Sequence, residues 1–262
     1  MESRILSTYR RITPKTTRTF LTRVKLLYIF LTFLFLKEEH PFLRVLNHPQ
    51  WVNDNFATHN WMGFLDEPKF ERSFESALYE VPGELQEQFF GIKYRAHIAT
   101  WAATQALRVP GDFIEIGVWW GVLSKTILEY NSPQISSKRF YLIDPWGGLE
   151  GTRYSENIFS EIEKRFAGYP NVQLIKGLAP QMLTSIQIDK IAYLSIDMNN
   201  FQAEVDSLKF LYPLLSPGAV VYLDDYAHLD CFEVRREIGT FLDVKGENVL
   251  IFPSGNAIFI KK

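Results

Sequence analysis

From about residue 86 the chain alternates between two periods of apolar residues. "QEQFFGIKYRAHIATWAATQAL", residues 86–107, repeats them near every third or fourth place, which predicts a helix that "RVPG" stops. Short apolar runs ending in an acid or a glycine follow: "DFIEIG", "RFYLID", "VQLIKG", "IAYLSID" and "AVVYLDD". Helical text separates them, as in "GVLSKTILEY" and in "FQAEVDSLKFLYPLL", where Val205, Leu208, Leu211 or Tyr212, and Leu215 share one face. Five rounds of strand and helix predict an α/β fold, a parallel sheet covered on both faces. "ENVLIFPSGNAIFIKK" adds two β-rich runs around "PSGN", an antiparallel hairpin at the sheet edge, so the sheet has seven strands. Residues 1–85 show no sustained period. They are expected to form a helical and looped accessory segment, a lid over a domain spanning 86–262.

Composition narrows the possibilities. The 262 residues are 47% hydrophobic and 22% charged, an ordinary globular balance able to bury roughly three quarters of the unfolded surface. A net charge of −2 gives no basic face for nucleic acid, so no nucleic-acid partner is expected. The first 25 residues differ: seven basic residues stand there against Glu2 alone, and they lead into the apolar "LLYIFLTFLFL", residues 26–36. As a helix that run reaches only about 17 Å, short of a hydrocarbon core of roughly 30 Å. Three uses stay open for it: a signal-like segment, a helix lying on a membrane surface through residues 1–36, or a helix buried against the main domain or a second copy in a homo-oligomer. Cys231, the single cysteine, excludes an internal disulfide and a Cys-rich metal site, so a reducing, cytoplasmic location is expected.

In a doubly wound sheet, ligands bind beyond the carboxyl ends of the strands. At the first end, in "EIGVWWG", Gly117 and Gly121 bracket a tight turn that brings backbone and helix N-terminal amides close to a ligand. Trp119 stands where a dinucleotide fingerprint needs glycine. That favours E-x-G-x-x-x-G, the form of many S-adenosylmethionine enzymes, over a nicotinamide site; a purely structural turn is the alternative. Asp144 ends the second strand, placed either to accept both hydroxyls of a ribose or to cap a helix. The third strand offers only Gly177 and backbone. Strands four and five then deliver Asp197, Asp224 and Asp225 to one rim. Two ionised carboxylates about 4 Å apart repel by roughly 4 kcal/mol at an effective dielectric near 20, so such a pair meets a cation or solvent. Three acids suit a hard divalent cation such as Mg²⁺; the alternative is that Asp225 caps the next helix and Asp224 is solvated.

"VPGDFIEIGVWWG", "IAYLSID", "LYPLLSPGAVVYLDDY" and "CFEVRREIGTFL" together resemble the macrocin O-methyltransferase family, S-adenosylmethionine- and Mg²⁺-dependent enzymes that methylate sugar hydroxyls on natural products. The resemblance covers about residues 86–262. It implies a Rossmann-like class I methyltransferase fold, Glu115, Gly117 and Asp144 near the cofactor, and Asp197, Asp224 and Asp225 on a divalent metal. The acceptor would be a small hydroxylated molecule. One departure stands out: "DMNNFQAE" replaces the glycine, second acid and tyrosine-containing stretch expected after Asp197, and Asn200 cannot serve as the lysine base of related catechol-type enzymes. Asp197 or His228 is then the candidate proton acceptor, a surface hydrogen bond being the plainer use of His228. A degenerate relative that binds a nucleotide or a partner without catalysis is the alternative function.

Overall fold

Each of the five apolar runs forms a strand. They are β1 (Asp112–Ile116), β2 (Phe140–Asp144), β3 (Val172–Lys176), β4 (Ile191–Ile196) and β5 (Leu215–Leu223), followed by the hairpin strands β6 (Val249–Ile251) and β7 (Ala257–Ile260). The structure, a computed structural model, describes Val45, residues 48–148 and residues 157–262. The chain divides into two compact units, residues 1–50 with 57–60 and residues 51–56 with 61–262, and every element named here belongs to the second. The sheet order is β3-β2-β1-β4-β5-β7-β6. The first five strands are parallel; β7 runs antiparallel to both β5 and β6, as the hairpin text predicts, with β7 inserted between β5 and the edge strand β6.

Alternation along the strands splits the core. Ile114, Ile116, Ile143, Leu194, Ile196, Val221 and Leu223 pack with α6 (Phe201–Leu211) and α7 (Phe232–Lys245) on one face. Phe113, Phe140, Leu142, Tyr193, Val220 and Tyr222 pack on the other with α1 (Pro68–Tyr79), α3 (Lys93–Ala106), α4 (Val122–Tyr130) and α5 (Phe159–Phe166). Both faces of the sheet are therefore apolar, which is why these strands read as continuous runs.

Two parts differ from the expectation. Residues 61–85 belong to the same unit as the sheet, because α1 is an amphipathic helix: Phe70, Phe74 and Ala77, at spacings of four and three, are all at most 1% exposed. Pro68 opens it and the Glu67 carboxylate accepts the Phe70 N–H at 2.9 Å, a helix start that fits its residue types. Each buried phenylalanine contributes roughly 2–3 kcal/mol. The helix expected over 86–107 is two helices, α2 (Gly83–Gly91) and α3, broken at Ile92, whose N–H turns back to the Phe89 and Phe90 carbonyls. The glycine before the break weakens helix propagation there. The basic segment, the apolar run at residues 26–36 and any membrane use of residues 1–36 lie outside the described residues. Among the described residues no helix is long and apolar enough to cross a membrane.

Candidate active site

Register builds the site. Ile116 lies opposite Ile143 and Ile196, and Ile196 opposite Leu223. The next residue of each strand therefore emerges at one level: Gly117, Asp144, Asp197 and Asp224. The ladder continues one step into them, with Gly117 N–H on Ile143 O (2.9 Å), Asp197 N–H on Ile116 O (2.9 Å), Asp224 N–H on Ile196 O (3.0 Å) and Gly177 N–H on Asp144 O (3.0 Å). All of them, with Glu115 and Asp225, line a cavity of about 760 Å³, in the upper half of the range for small-molecule sites.

The first turn is held by close approach and by one carboxylate. Gly117 has φ +83°, and a Cβ there would fall on the Asp197 carbonyl. Gly121 starts α4 at φ +67°, against the Phe166 ring. Between them Trp119 sits at φ +46°, unusual for an aromatic residue. Asp144 holds it: one carboxylate oxygen accepts the N–H groups of Val118 (2.8 Å) and Trp119 (2.9 Å), and the other accepts that of Trp146 (2.6 Å). The Trp146 indole N–H in turn donates to the Trp119 carbonyl at 2.9 Å. Asp144 is thus the peg of the turn after β1 as well as a cavity-lining acid, and it caps no helix. Burial raises its carboxyl even against these three donors.

Glu115 is 2% exposed and accepts the Ser124 hydroxyl at 2.6 Å. Burial, with Asp224 and Asp144 adding like charge, pushes its carboxyl up to about 8 from an ordinary 4.5. The folded chain then keeps a proton that the unfolded chain releases above pH 4.5, so this contribution to stability is full below about pH 4.5 and is lost as pH rises to about 8. Glu115→Gln is expected to flatten that part of the profile, so that wild type loses stability relative to the variant as pH rises across the window, as read from denaturation curves. A pH-independent difference would refute it.

Asp197, Asp224 and Asp225 do converge: one oxygen of each lies within 4.8 Å of the others. The cation that meets the adjacent pair, however, is Arg95 of α3. Its Nη1 donates to Asp224 at 2.6 Å and to Asp225 at 3.0 Å, its Nε donates to both oxygens of Asp54 (2.8 and 2.7 Å), and its Nη2 donates to the Ser254 carbonyl at 3.1 Å. The second oxygen of Asp224 accepts the Tyr222 hydroxyl at 2.6 Å. Asp225 caps no helix here; it pairs with Arg95. Burial, then Asp224 and Asp225, raise the Asp197 carboxyl well above the usual range. Glu204 on α6, buried beside Asp225 and Asp224, is pushed up to about 7.

The altered stretch after Asp197 has a structural account. Asn199 takes φ +53°, its amide 3.4 Å from Asp197, and Asn200 starts α6 by accepting the Ala203 N–H at 3.1 Å. His228 does not line the cavity; its Nε2 faces the Asn55 amide at 3.2 Å, so the candidate acceptor that geometry brings into the cavity is Asp197. Gly177 does line it, with φ +152° and Met182 where a Cβ would go. Phe89, against the Trp119 ring at 5.0 Å, closes the side opposite α6.

Arg95, Asp54 and Phe89 were not singled out from the sequence. For Arg95 a signal existed: it shares a helix stripe with Ala99, Ala102 and Ala106, all buried, where a charge demands a partner.

The chain is 24% identical over 155 residues to mycinamicin III 3''-O-methyltransferase of Micromonospora griseorubida, covering 49% of this chain and 60% of that one. It is 27% identical over 172 residues to demethyldecarbamoylnovobiocin O-methyltransferase of Streptomyces niveus, covering 56% and 65%. The matches thus span less than two thirds of the length of these relatives. Among solved structures, the O-methyltransferase NovP superposes with a TM-score of 0.57 at 20% identity, over 76% of this chain and 98% of that one. CalS11, a TDP-rhamnose 3'-O-methyltransferase of calicheamicin biosynthesis, gives 0.52 at 16% identity, over 78% and 96%. Both show the fold, a Rossmann-like methyltransferase sheet. The profile of macrocin O-methyltransferase (TylF) matches residues 93–247, more than half of the chain and every rim residue described above, and the chain belongs to that family.

Proposed function

We propose that the protein is an S-adenosylmethionine-dependent O-methyltransferase acting on a hydroxyl of a sugar or another small polyhydroxylated molecule. The observation that carries this reading is the shared level of the rim, where the Gly117–Asp144 cradle and the Asp197 carboxyl open into one cavity. Methyl transfer is an in-line displacement: the acceptor oxygen bonds to the methyl carbon as the carbon–sulfur bond breaks, and the hydroxyl proton must leave. The cradle fixes the donor; Phe89, Trp119 and the first turn of α6 exclude water on either side of it. Asp197, within the cavity, takes the proton. The relatives are named as O-methyltransferases, which supports a hydroxyl as acceptor.

A divalent cation, Mg²⁺ or similar, is the further part of the family reading, and its donor set would be Asp197, Asp224 and Asp225. With Arg95 in place the set does not fit a dication. Both oxygens of Asp224 and one of Asp225 already accept hydrogen bonds. An ion bound at Asp224 would lie within about 5 Å of the guanidinium, which weakens its binding by roughly 7 kcal/mol, at an effective dielectric near 20, relative to the same rim without the arginine. No step here runs through a metal.

The test is methyl transfer from S-adenosylmethionine to a panel of glycosides and polyols, read by mass. Asp197→Asn is expected to lower kcat by about 10²–10⁴ while S-adenosylhomocysteine binding by calorimetry is kept. Cofactor binding without turnover over the whole panel would favour a non-catalytic role, and absence of cofactor binding would sink the reading.

A further inference from the structure

The geometry points to Arg95 as the resident cation of the acidic rim, a guanidinium standing in the electrostatic place a divalent ion would take, so that the rim is complete without a metal. Its side chain is 9% exposed, and the carboxylates around it, Asp54 and Asp224, are 5% and 8% exposed. All three guanidinium nitrogens are engaged: Nη1 bridges Asp224 and Asp225, Nε meets both oxygens of Asp54, and Nη2 meets the Ser254 carbonyl. A planar fork with several fixed donors suits this bridging, whereas a lysine ammonium is a single point of charge. Displacing Arg95 by an incoming ion would break all five of these contacts.

A second observation shows that the arrangement is built. Asp54 and the following Asn55 both take left-handed backbone, φ +54° and +62°, although neither is glycine. That turn touches the rim twice, through Asp54 on Arg95 and through Asn55 on His228, the residue three places after Asp225. Asp and Asn are the non-glycine residues that most readily take this backbone, so the turn suits its residue types. The turn thus anchors the outer side of the guanidinium, and Asp224 and Asp225 meet its inner side. Asp197 faces the pair from β4 and Glu204 from α6, so the rim keeps an excess of carboxylates over its one described cation, which favours retention of Arg95.

The inference concerns the site read above as catalytic, but its test does not need turnover. Wild type, Arg95→Met, Arg95→Gln and Arg95→Lys would be titrated with Mn²⁺ by electron paramagnetic resonance. Melting would be followed with EDTA and with Mg²⁺, and S-adenosylhomocysteine titrated into the same samples to report the cradle separately. Wild type is expected to bind no Mn²⁺ up to about 1 mM, the weak end of oxygen-ligand cation sites, and to melt alike in EDTA and Mg²⁺. Arg95→Met and Arg95→Gln should melt lower, recover with divalent ions and bind Mn²⁺ at least about 100-fold more tightly than wild type. Arg95→Lys, which keeps the charge, should still refuse Mn²⁺. Binding of Mn²⁺ by wild type well below 1 mM overturns the proposal even if no variant folds, and so does a folded Arg95→Met or Arg95→Gln whose Mn²⁺ affinity is no higher than that of wild type. Failure to bind S-adenosylhomocysteine would instead count against the methyltransferase reading.

Discussion

Gly117→Ala is expected to cost at least about 3 kcal/mol of stability and to abolish cofactor binding. Two costs add. The backbone sits at φ +83°, where an L side chain costs roughly 1–2 kcal/mol. The new Cβ also lands on the Asp197 carbonyl, which is backbone rather than a side chain able to swing aside. The strands cannot part to relieve it, because Asp197 N–H is bonded to Ile116 O at 2.9 Å one residue away. Gly148→Ala is the matched control: φ is +78°, but among the described residues nothing lies within 4 Å of its Cβ, so the roughly 1–2 kcal/mol conformational part is the expected cost. Urea denaturation of both variants, with calorimetry of S-adenosylhomocysteine, separates the two costs. Equal losses for the two would show that the close approach of β1 and β4 is not what the glycine serves.

The second large effect is expected at Asp144, and it turns on which groups its carboxylate faces. Three backbone N–H groups point at its two oxygens, two on one and one on the other. Asp144→Asn keeps size and shape, yet its amide NH₂ must face either the Val118 and Trp119 donors or the Trp146 donor. Donor then meets donor in a buried place, at a cost of about 1–3 kcal/mol for each group left unsatisfied. Both Asp144→Asn and Asp144→Ala should therefore release the Trp119 turn and weaken S-adenosylhomocysteine binding by about 100-fold or more, the equivalent of two such bonds. Calorimetry gives the affinity and near-ultraviolet circular dichroism of the tryptophans gives the turn. An Asp144→Asn protein with unchanged affinity would sink the argument.

The legible parts of the molecule are those that repeat locally. Five apolar runs ending in Gly117, Asp144, Gly177, Asp197 and Asp224 carry both the sheet and its rim, since in-register parallel strands present their next residues together. The residues that line the rim could therefore be read along the chain. The partners of Arg95 could not: its alanine stripe marks it as buried, but the carboxylates that meet it lie 41, 129 and 130 residues away. Adjacent Asp224 and Asp225 demand a cation or solvent, and the cation that meets them comes from outside the strands. His228 looked eligible by its nearness to the pair in sequence, but the loop turns it to Asn55. In α1, Phe70, Phe74 and Ala77 carried a helical period too short to stand out among scattered aromatics.

Arg95 draws on both ends of the chain: Asp54 upstream of the sheet, Asp224 and Asp225 near its last parallel strand. That has a consequence for recombining relatives. A chimera that took its first 85 residues from another member of the family would inherit one side of a buried ion pair without the other. The graft would have to bring a carboxylate to the place of Asp54, on a turn able to hold left-handed backbone, before any change in acceptor choice could be read from it.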